Sequence, residues 1–164
     1  MTAAQTIHLR PIQIVDEAFL RLVYASVREQ ELDQVAWPPG VREEFLRTQF
    51  DAQHTHYTSN YPGAELSVIE VDGKPAGRFY THRAESEIRI IEIALLPEYR
   101  NQGIGSGLVK RILNDGDLLH LPVAIHVEKF NPAFKLYERL GFRVEEDLGV
   151  YLFMKRMPLT DGPV

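Results

Sequence analysis

The stretch Arg100-Asn101-Gln102-Gly103-Ile104-Gly105-Ser106-Gly107 stands where the hydrophobic period of the chain changes from that of strands to that of a helix. Before it, residues 66–71, 75–82 and 87–96 alternate or run apolar, with Asp72-Gly73 as a hairpin signal and isoleucine dense in the third run. After it, Ile104, Leu108 and Ile112 share one helical stripe, and residues 121–127 return as a buried strand. Strand, glycine-rich turn, helix and strand in this order predict a β-α-β unit joined to an antiparallel meander.

The first half is built differently. Alternation over residues 6–10 predicts a first strand, and Asp16 offers an N-cap to an amphipathic helix carrying Phe19, Leu22, Val23 and Val27. Trp37-Pro38-Pro39-Gly40 interrupts it, and residues 41–50 read as a short second helix with Phe45, Leu46 and Gln49 at helical spacing. Residues 51–63 read as a polar, aromatic loop. Near the other end, Asn131-Pro132 is a helix start with Asn131 as N-cap, and Leu140-Gly141 is a stop. Residues 142–146 and 150–157 read as the last strands, and the tail 160–164 is expected to fray. No repeat breaks the chain, so residues 1–164 read as a single mixed α/β domain.

Composition narrows the function. With 164 residues, 45% of them hydrophobic, the chain can bury one core unaided. A formal net charge of −5 without a run of Lys or Arg argues against a nucleic-acid partner. The lack of cysteine excludes a disulfide framework, a thiolate zinc site and a cysteine nucleophile, and fits a reducing cytosol. Residues 1–10 lack a basic patch followed by an apolar run, and no segment nears the roughly 20 apolar residues of a membrane span. A soluble, cytoplasmic protein is expected.

The turn itself suits a phosphate. Glycines let the backbone approach a ligand, and free amides at a helix start, aided by the helix dipole, attract an anion. Alternatively, it is only a tight strand-to-helix connection. A Rossmann fingerprint needs a third Gly where Leu108 stands, and a P-loop needs Gly-Lys-Ser/Thr where Gly105-Ser106-Gly107 stands.

Arg100 to Gly105 resembles instead the cofactor signature of the GNAT family of N-acetyltransferases: Arg or Gln, two residues, Gly, one residue, Gly or Ala. Ile91-Glu92-Ile93-Ala94-Leu95-Leu96-Pro97-Glu98-Tyr99 looks like that family's central strand and its Pro-Glu-Tyr-Arg approach. Residues 131–142, Asn131-Pro132-Ala133-Phe134-Lys135-Leu136-Tyr137-Glu138-Arg139-Leu140-Gly141-Phe142, resemble its second signature. The close match covers about residues 87–157. The resemblance implies a central, mostly antiparallel twisted sheet flanked by about four helices, with acetyl-coenzyme A as co-substrate and direct transfer of the acetyl group to a primary amine of a small molecule, amino acid or peptide.

Such a transfer requires a neutral amine, a polarised carbonyl and a proton for the departing thiolate. By resemblance, the backbone of Ile93, Ala94 and Leu95 holds the acetyl carbonyl and the pantetheine arm. Asn101 and the amides of Gln102, Gly103, Ile104, Gly105 and Ser106 lie at the pyrophosphate, supported by the charge of Arg100. Asn131 and Phe134 join the cofactor side, Asn131 as pantetheine ligand, as N-cap, or as both. Tyr137 matches a tyrosine that donates a proton to the coenzyme A sulfur; the other reading is a core aromatic. An alkyl amine with a pKa of about 10 also needs a base. Glu92, an acid among isoleucines, is the first candidate and His126, near the end of the next strand, the second; a half-buried strand histidine with a satisfied hydrogen bond is the other reading of His126.

The loop 51–63, with His54, His56, Tyr57 and Tyr61, could read a polar acceptor or simply be solvated. Its two histidines lack a third ligand at defined spacing, so no metal is expected. Trp37 reads as an acceptor wall or a packed loop anchor. The alternative to an enzyme is an acetyl-coenzyme A sensor or interaction module without turnover. A homodimer is the assembly expected if an edge strand such as 150–157 pairs with a second copy.

Overall fold

The computed structural model describes residues 3–159; the tail 160–164, expected to fray, lies outside them. The elements run β1 (Ile7–Pro11), α1 (Glu17–Leu32), α2 (Val41–Asn60), β2 (Glu65–Val71), β3 (Lys74–Arg83), β4 (Ile88–Leu95), α3 (Ile104–Leu119), β5 (Val123–Glu128), α4 (Phe134–Arg139), β6 (Arg143–Asp147) and β7 (Tyr151–Arg156). Short 3-10 turns stand at Ile14–Asp16 and Pro97–Tyr99. The strands are ordered β1-β2-β3-β4-β5-β7-β6 in a mostly antiparallel sheet. The pairs β1–β2, β5–β7 and β6–β7 are antiparallel, and β4–β5 is parallel, as the β-α-β pattern predicts. The described chain divides into two compact units, residues 3–80 with 92–102, and residues 81–91 with 103–159.

In the first unit α1 and α2 pack together, and Leu20, Tyr24, Phe50 and Val68 form a buried cluster with Ile12, Phe19 and Leu46 against it. The buried stripe of α1 is Leu20, Val23, Tyr24 and Leu32; Leu22 and Val27, read as part of it, are more than half exposed. A one-residue shift on a helix turns a side chain by about 100°, and Tyr24 rather than Val27 faces the core. Asp16 stands at the N-cap position of α1, as expected, but its side chain makes no cap bond to that helix. Its carboxylate accepts from Arg10 Nη1 and Nη2, both at 2.8 Å, and from the Gln13 amide at 2.7 Å.

The loop expected at residues 51–63 is helical as far as Asn60. The stripe Leu46, Phe50, Gln53, His54, Tyr57 keeps helical spacing through it, and no Gly or Pro intervenes before Pro62-Gly63. Thr48 and Thr58 hydroxyls bond back to the carbonyls of Glu44 and His54. Polar and aromatic residues on the packed side hid a pattern that aliphatic ones would have displayed.

In the second unit α3 lies against β5 and buries Ile104, Leu108, Val109, Ile112 and Leu113. Val123, Ile125 and Val127 of β5 and Leu152 and Met154 of β7 are buried too. Strand β7 lies between β5 and β6, so residues 150–157 are interior and the expectation of an edge strand there is wrong. The edge is β6, all five residues of which are exposed. The β6–β7 hairpin folds back into the open side of β5, an order that alternation along one strand does not encode. Helix α4 starts at Phe134 with Ala133 as its N-cap residue, later than the Asn131 expected. Asn131 Oδ1 accepts from the Ala133 amide at 2.8 Å, closing an Asx turn that leads in.

Candidate active site

The glycine-rich turn joins the 3-10 turn Pro97–Tyr99 to α3. Asn101 and Gly103 adopt left-handed backbone, at φ of 59° and 80°, which Asn and Gly tolerate best. The first helical bond of α3 runs from the Gly107 amide to the Gly103 carbonyl at 2.9 Å. The amides of Ile104, Gly105 and Ser106 precede it, and among the described residues no side chain caps them. Together with the helix dipole they form an anion-ready helix start.

Arg100 is held within the first unit. Its Nε donates to the Leu95 carbonyl at 2.9 Å, and Nη2 lies 3.4 Å from both oxygens of Ser26 on α1. Gln102 Nε2 donates to the Glu98 carbonyl at 2.7 Å. Ala94 is buried with Val23 and Leu96. Ile93 and Leu95 flank it, half-buried. Gly77 of β3 approaches Ala94 so closely that a Cβ there would stand 2.1 Å from the Ala94 carbonyl oxygen.

Glu92 sits one residue before Ile93 on β4, half-buried. The Tyr57 hydroxyl donates to its Oε2 at 3.1 Å, and Arg78 Nη2 lies 3.6 Å from the same oxygen. Arg78 is buried at 3% exposure, donates to Gln53 Oε1 at 2.8 Å, and stacks 5.8 Å and 5.2 Å from the ring centres of Tyr24 and Tyr80. A buried guanidinium is stable only when its charge and donors are met. Here Glu92, Gln53 and two aromatic faces meet the charge and the Nη2 donor, whereas the buried Nε has no hydrogen-bond partner. Burial pushes the Tyr80 phenol above its ordinary value, against the Arg78 charge. Arg78 and Tyr80 were not singled out in the sequence. The readable signal was an arginine inside an apolar strand run, one strand away from an equally anomalous glutamate.

The other predicted residues belong to the second unit. Tyr137 is buried at 5% exposure with its ring edge-on to Phe142, centroids 5.7 Å apart. Phe134 on the same helix is half-buried, and Asn131 is exposed. His126 is exposed on β5, its ring 5.1 Å from Phe153 and its Nδ1 3.0 Å from Arg89 Nη1. Partial burial and then the Arg89 charge push this imidazole below its ordinary value, with Glu87 and Glu146 opposing.

The remaining candidates are structural in their contacts. Trp37 Nε1 donates to the Leu32 carbonyl at 2.8 Å and its ring tilts against Phe45, so the packed-anchor reading holds. His54 stacks on Phe50, and His56 Nδ1 meets Asn60. Among the described residues no three of His, Asp and Glu are grouped to hold a metal, and no helix is long and apolar enough to cross a membrane.

A strand, a glycine-opened helix and a second parallel strand, with free amides at the helix start, make an arrangement suited to an anionic ligand. Residues 62–144 match the acetyltransferase (GNAT) domain family, and the chain belongs to that family. It is 27% identical over 108 residues to a Bacillus subtilis (strain 168) protein with a proposed [ribosomal protein bS18]-alanine N-acetyltransferase activity. That match covers 64% of this chain and 65% of the relative's length. Among solved structures it resembles the PaiA N-acetyltransferase of Thermoplasma acidophilum in complex with coenzyme A, with TM-score 0.68 and 19% identity over 93% of this chain and 99% of that one. It also resembles a ribosomal-protein alanine N-acetyltransferase from Escherichia coli, with TM-score 0.63 and 16% identity over 97% and 99% of the two chains.

Proposed function

We propose that residues 1–164 act as one cytoplasmic N-acetyltransferase domain that takes acetyl-coenzyme A as donor and a primary amine of a small molecule, amino acid or peptide as acceptor. The uncapped amides of Ile104, Gly105 and Ser106 behind left-handed Gly103 carry this reading, because they offer the pyrophosphate three donors already oriented along a helix axis. The backbone of residues 93–95 receives the pantetheine arm and the acetyl carbonyl, with Asn131 and Phe134 on the cofactor side.

In the reaction, Glu92 takes the proton from the acceptor ammonium. The amine nitrogen then attacks the thioester carbonyl carbon, a new C–N bond forms, and the C–S bond breaks. Tyr137 gives its phenolic proton to the departing thiolate and is reprotonated through solvent, which takes up the second proton the nitrogen loses as the amide forms. Tyr57 and Arg78 orient the Glu92 carboxylate by the contacts described above.

Ligand-dependent unfolding tests the donor. Acetyl-coenzyme A at about a hundred times its dissociation constant adds roughly 2.7 kcal/mol to the native state. For a chain of this size that raises the melting midpoint by roughly 5–10 °C. NAD at the same concentration should leave it unmoved. No shift with saturating acetyl-coenzyme A sinks the reading.

A further inference from the structure

Gln53 and Tyr57 stand four residues apart on α2 and therefore on one face of that helix. Each holds one member of a charged pair on β3 and β4. Gln53 Oε1 accepts from Arg78 Nη2 at 2.8 Å, and the Tyr57 hydroxyl donates to Glu92 Oε2 at 3.1 Å. All four residues belong to the first unit.

The short bond of Nη2 goes to a neutral amide and not to the carboxylate. Charge-assisted contacts between a guanidinium and a carboxylate close to about 2.7–2.9 Å, yet Nη2 stops 3.6 Å from Glu92 Oε2. The side chains are only 3% and 24% exposed, so water screens their attraction little. Something must hold the guanidinium back. Gln53 does so from α2, and the rings of Tyr24 and Tyr80, centred 5.8 Å and 5.2 Å from Cζ, restrain it further. The strain of this arrangement shows at Nε, which is buried and has no hydrogen-bond partner.

The gap matters for the chemistry. A carboxylate closed on arginine in the two-point manner has both oxygens occupied and its charge neutralised, which makes it a poor acceptor of an ammonium proton. Here Tyr57 and Arg78 both address Oε2, and neither uses Oε1. We infer that Gln53 is a positioning residue: it keeps Glu92 available as the base by holding Arg78 away from it. That role rests on Glu92 being the base; the restraint on Arg78 does not.

Two measurements on the full chain separate these. The first is the crystal structure of Gln53→Leu, which has similar bulk, favours a helix about as well and offers no acceptor; Gln53→Ala serves the same purpose. Arg78 should swing onto Glu92, with an Nη–Oε distance of about 2.7–2.9 Å. A guanidinium that stays 3.6 Å away overturns the restraint. The second is kinetic, with the amine that the wild type acetylates fastest from a panel of alkyl amines, amino acids and peptides. Gln53→Leu should lose about tenfold in kcat with acetyl-coenzyme A affinity unchanged. Gln53→Glu, isosteric and with an acceptor oxygen in the same place, should keep kcat within about threefold. Equal losses in the two variants, or none in Gln53→Leu, overturn the positioning role. A wild type inactive across the panel, or full kcat in Glu92→Gln, removes the reading of Glu92 as base and the role of Gln53 with it, while the crystal structure still decides the restraint.

Discussion

Gly77 shows how far a single side chain can reach in this fold. Its missing Cβ would meet the Ala94 carbonyl oxygen at 2.1 Å and Leu95 Cα at 3.0 Å, both backbone atoms that cannot rotate away. Gly77→Ala should therefore push β3 and the end of β4 apart, costing roughly 1–3 kcal/mol in denaturant unfolding. Because the acetyl group is assigned to residues 93–95, the same change should weaken acetyl-coenzyme A binding. Intact affinity would detach that stretch from the cofactor. Tyr137 is a sharper case, since burial at 5% and its ring contact with Phe142 are what a core aromatic would also show. Removing only the hydroxyl separates the roles. Tyr137→Phe should lower kcat by about 10²-fold or more with little change in cofactor affinity if the phenol protonates the thiolate. A retained kcat leaves it a packing residue. The sequence revealed Glu92 as an oddity among isoleucines, but not the Tyr57 and Arg78 that meet it. Those partners come from α2 and β3, and no local pattern ties residues 57, 78 and 92 together.

Elements were legible wherever side chains alternated cleanly or glycine and proline marked the ends. The meander, α3 and the β-α-β unit follow from period and punctuation, and Gly141, with φ of 97°, ends α4 as its position suggests. Helix α2 was not readable to its full length, because His54 and Tyr57 occupy turns where Leu or Ile would have extended the stripe. The difference is open to test. Thr55 is exposed and lies in the interior of α2. Thr55→Pro removes a backbone donor and clashes with the preceding turn, so it should cost about 3 kcal/mol or more and lower the helical circular dichroism signal. In a solvated loop the same change would cost little. Strand order was the other gap: β7 looks like any terminal strand in sequence, yet it is covered on both sides. Partner choice among strands depends on contacts far apart in the chain, and a single sequence does not print them.

Each compact unit has one carboxylate held by an arginine. Asp16 in the first unit is held by Arg10, and Asp117 in the second by Arg156 and the Leu159 amide. These hydrogen bonds draw both acids below the ordinary value of 3.8. Near that value the unfolded chain binds more protons than the folded one, so stability rises with pH there. The contribution is complete above the unfolded value and is lost as pH falls through the lower folded values. The denaturation midpoint should thus be insensitive to these groups at pH 6–7 and drop below about pH 4. Asp16→Asn, which leaves Arg10 short of a charge, should cost roughly 2–4 kcal/mol at pH 7, and the gap to wild type should close in acid. A gap that stays constant to pH 2 would contradict the ion-pair origin.

Acetyl transfer itself is measured most directly by the release of free coenzyme A. The chain has no cysteine, so a thiol reagent sees only the coenzyme product. With acetyl-coenzyme A and an α-amino amide or a peptide with a free N-terminus, thiol should appear in step with an acetylated amine of 42 Da greater mass, and both should fall about 10²-fold or more in Glu92→Gln. Tight binding of acetyl-coenzyme A with no thiol release across such acceptors would contradict the account and leave a cofactor-binding domain without turnover.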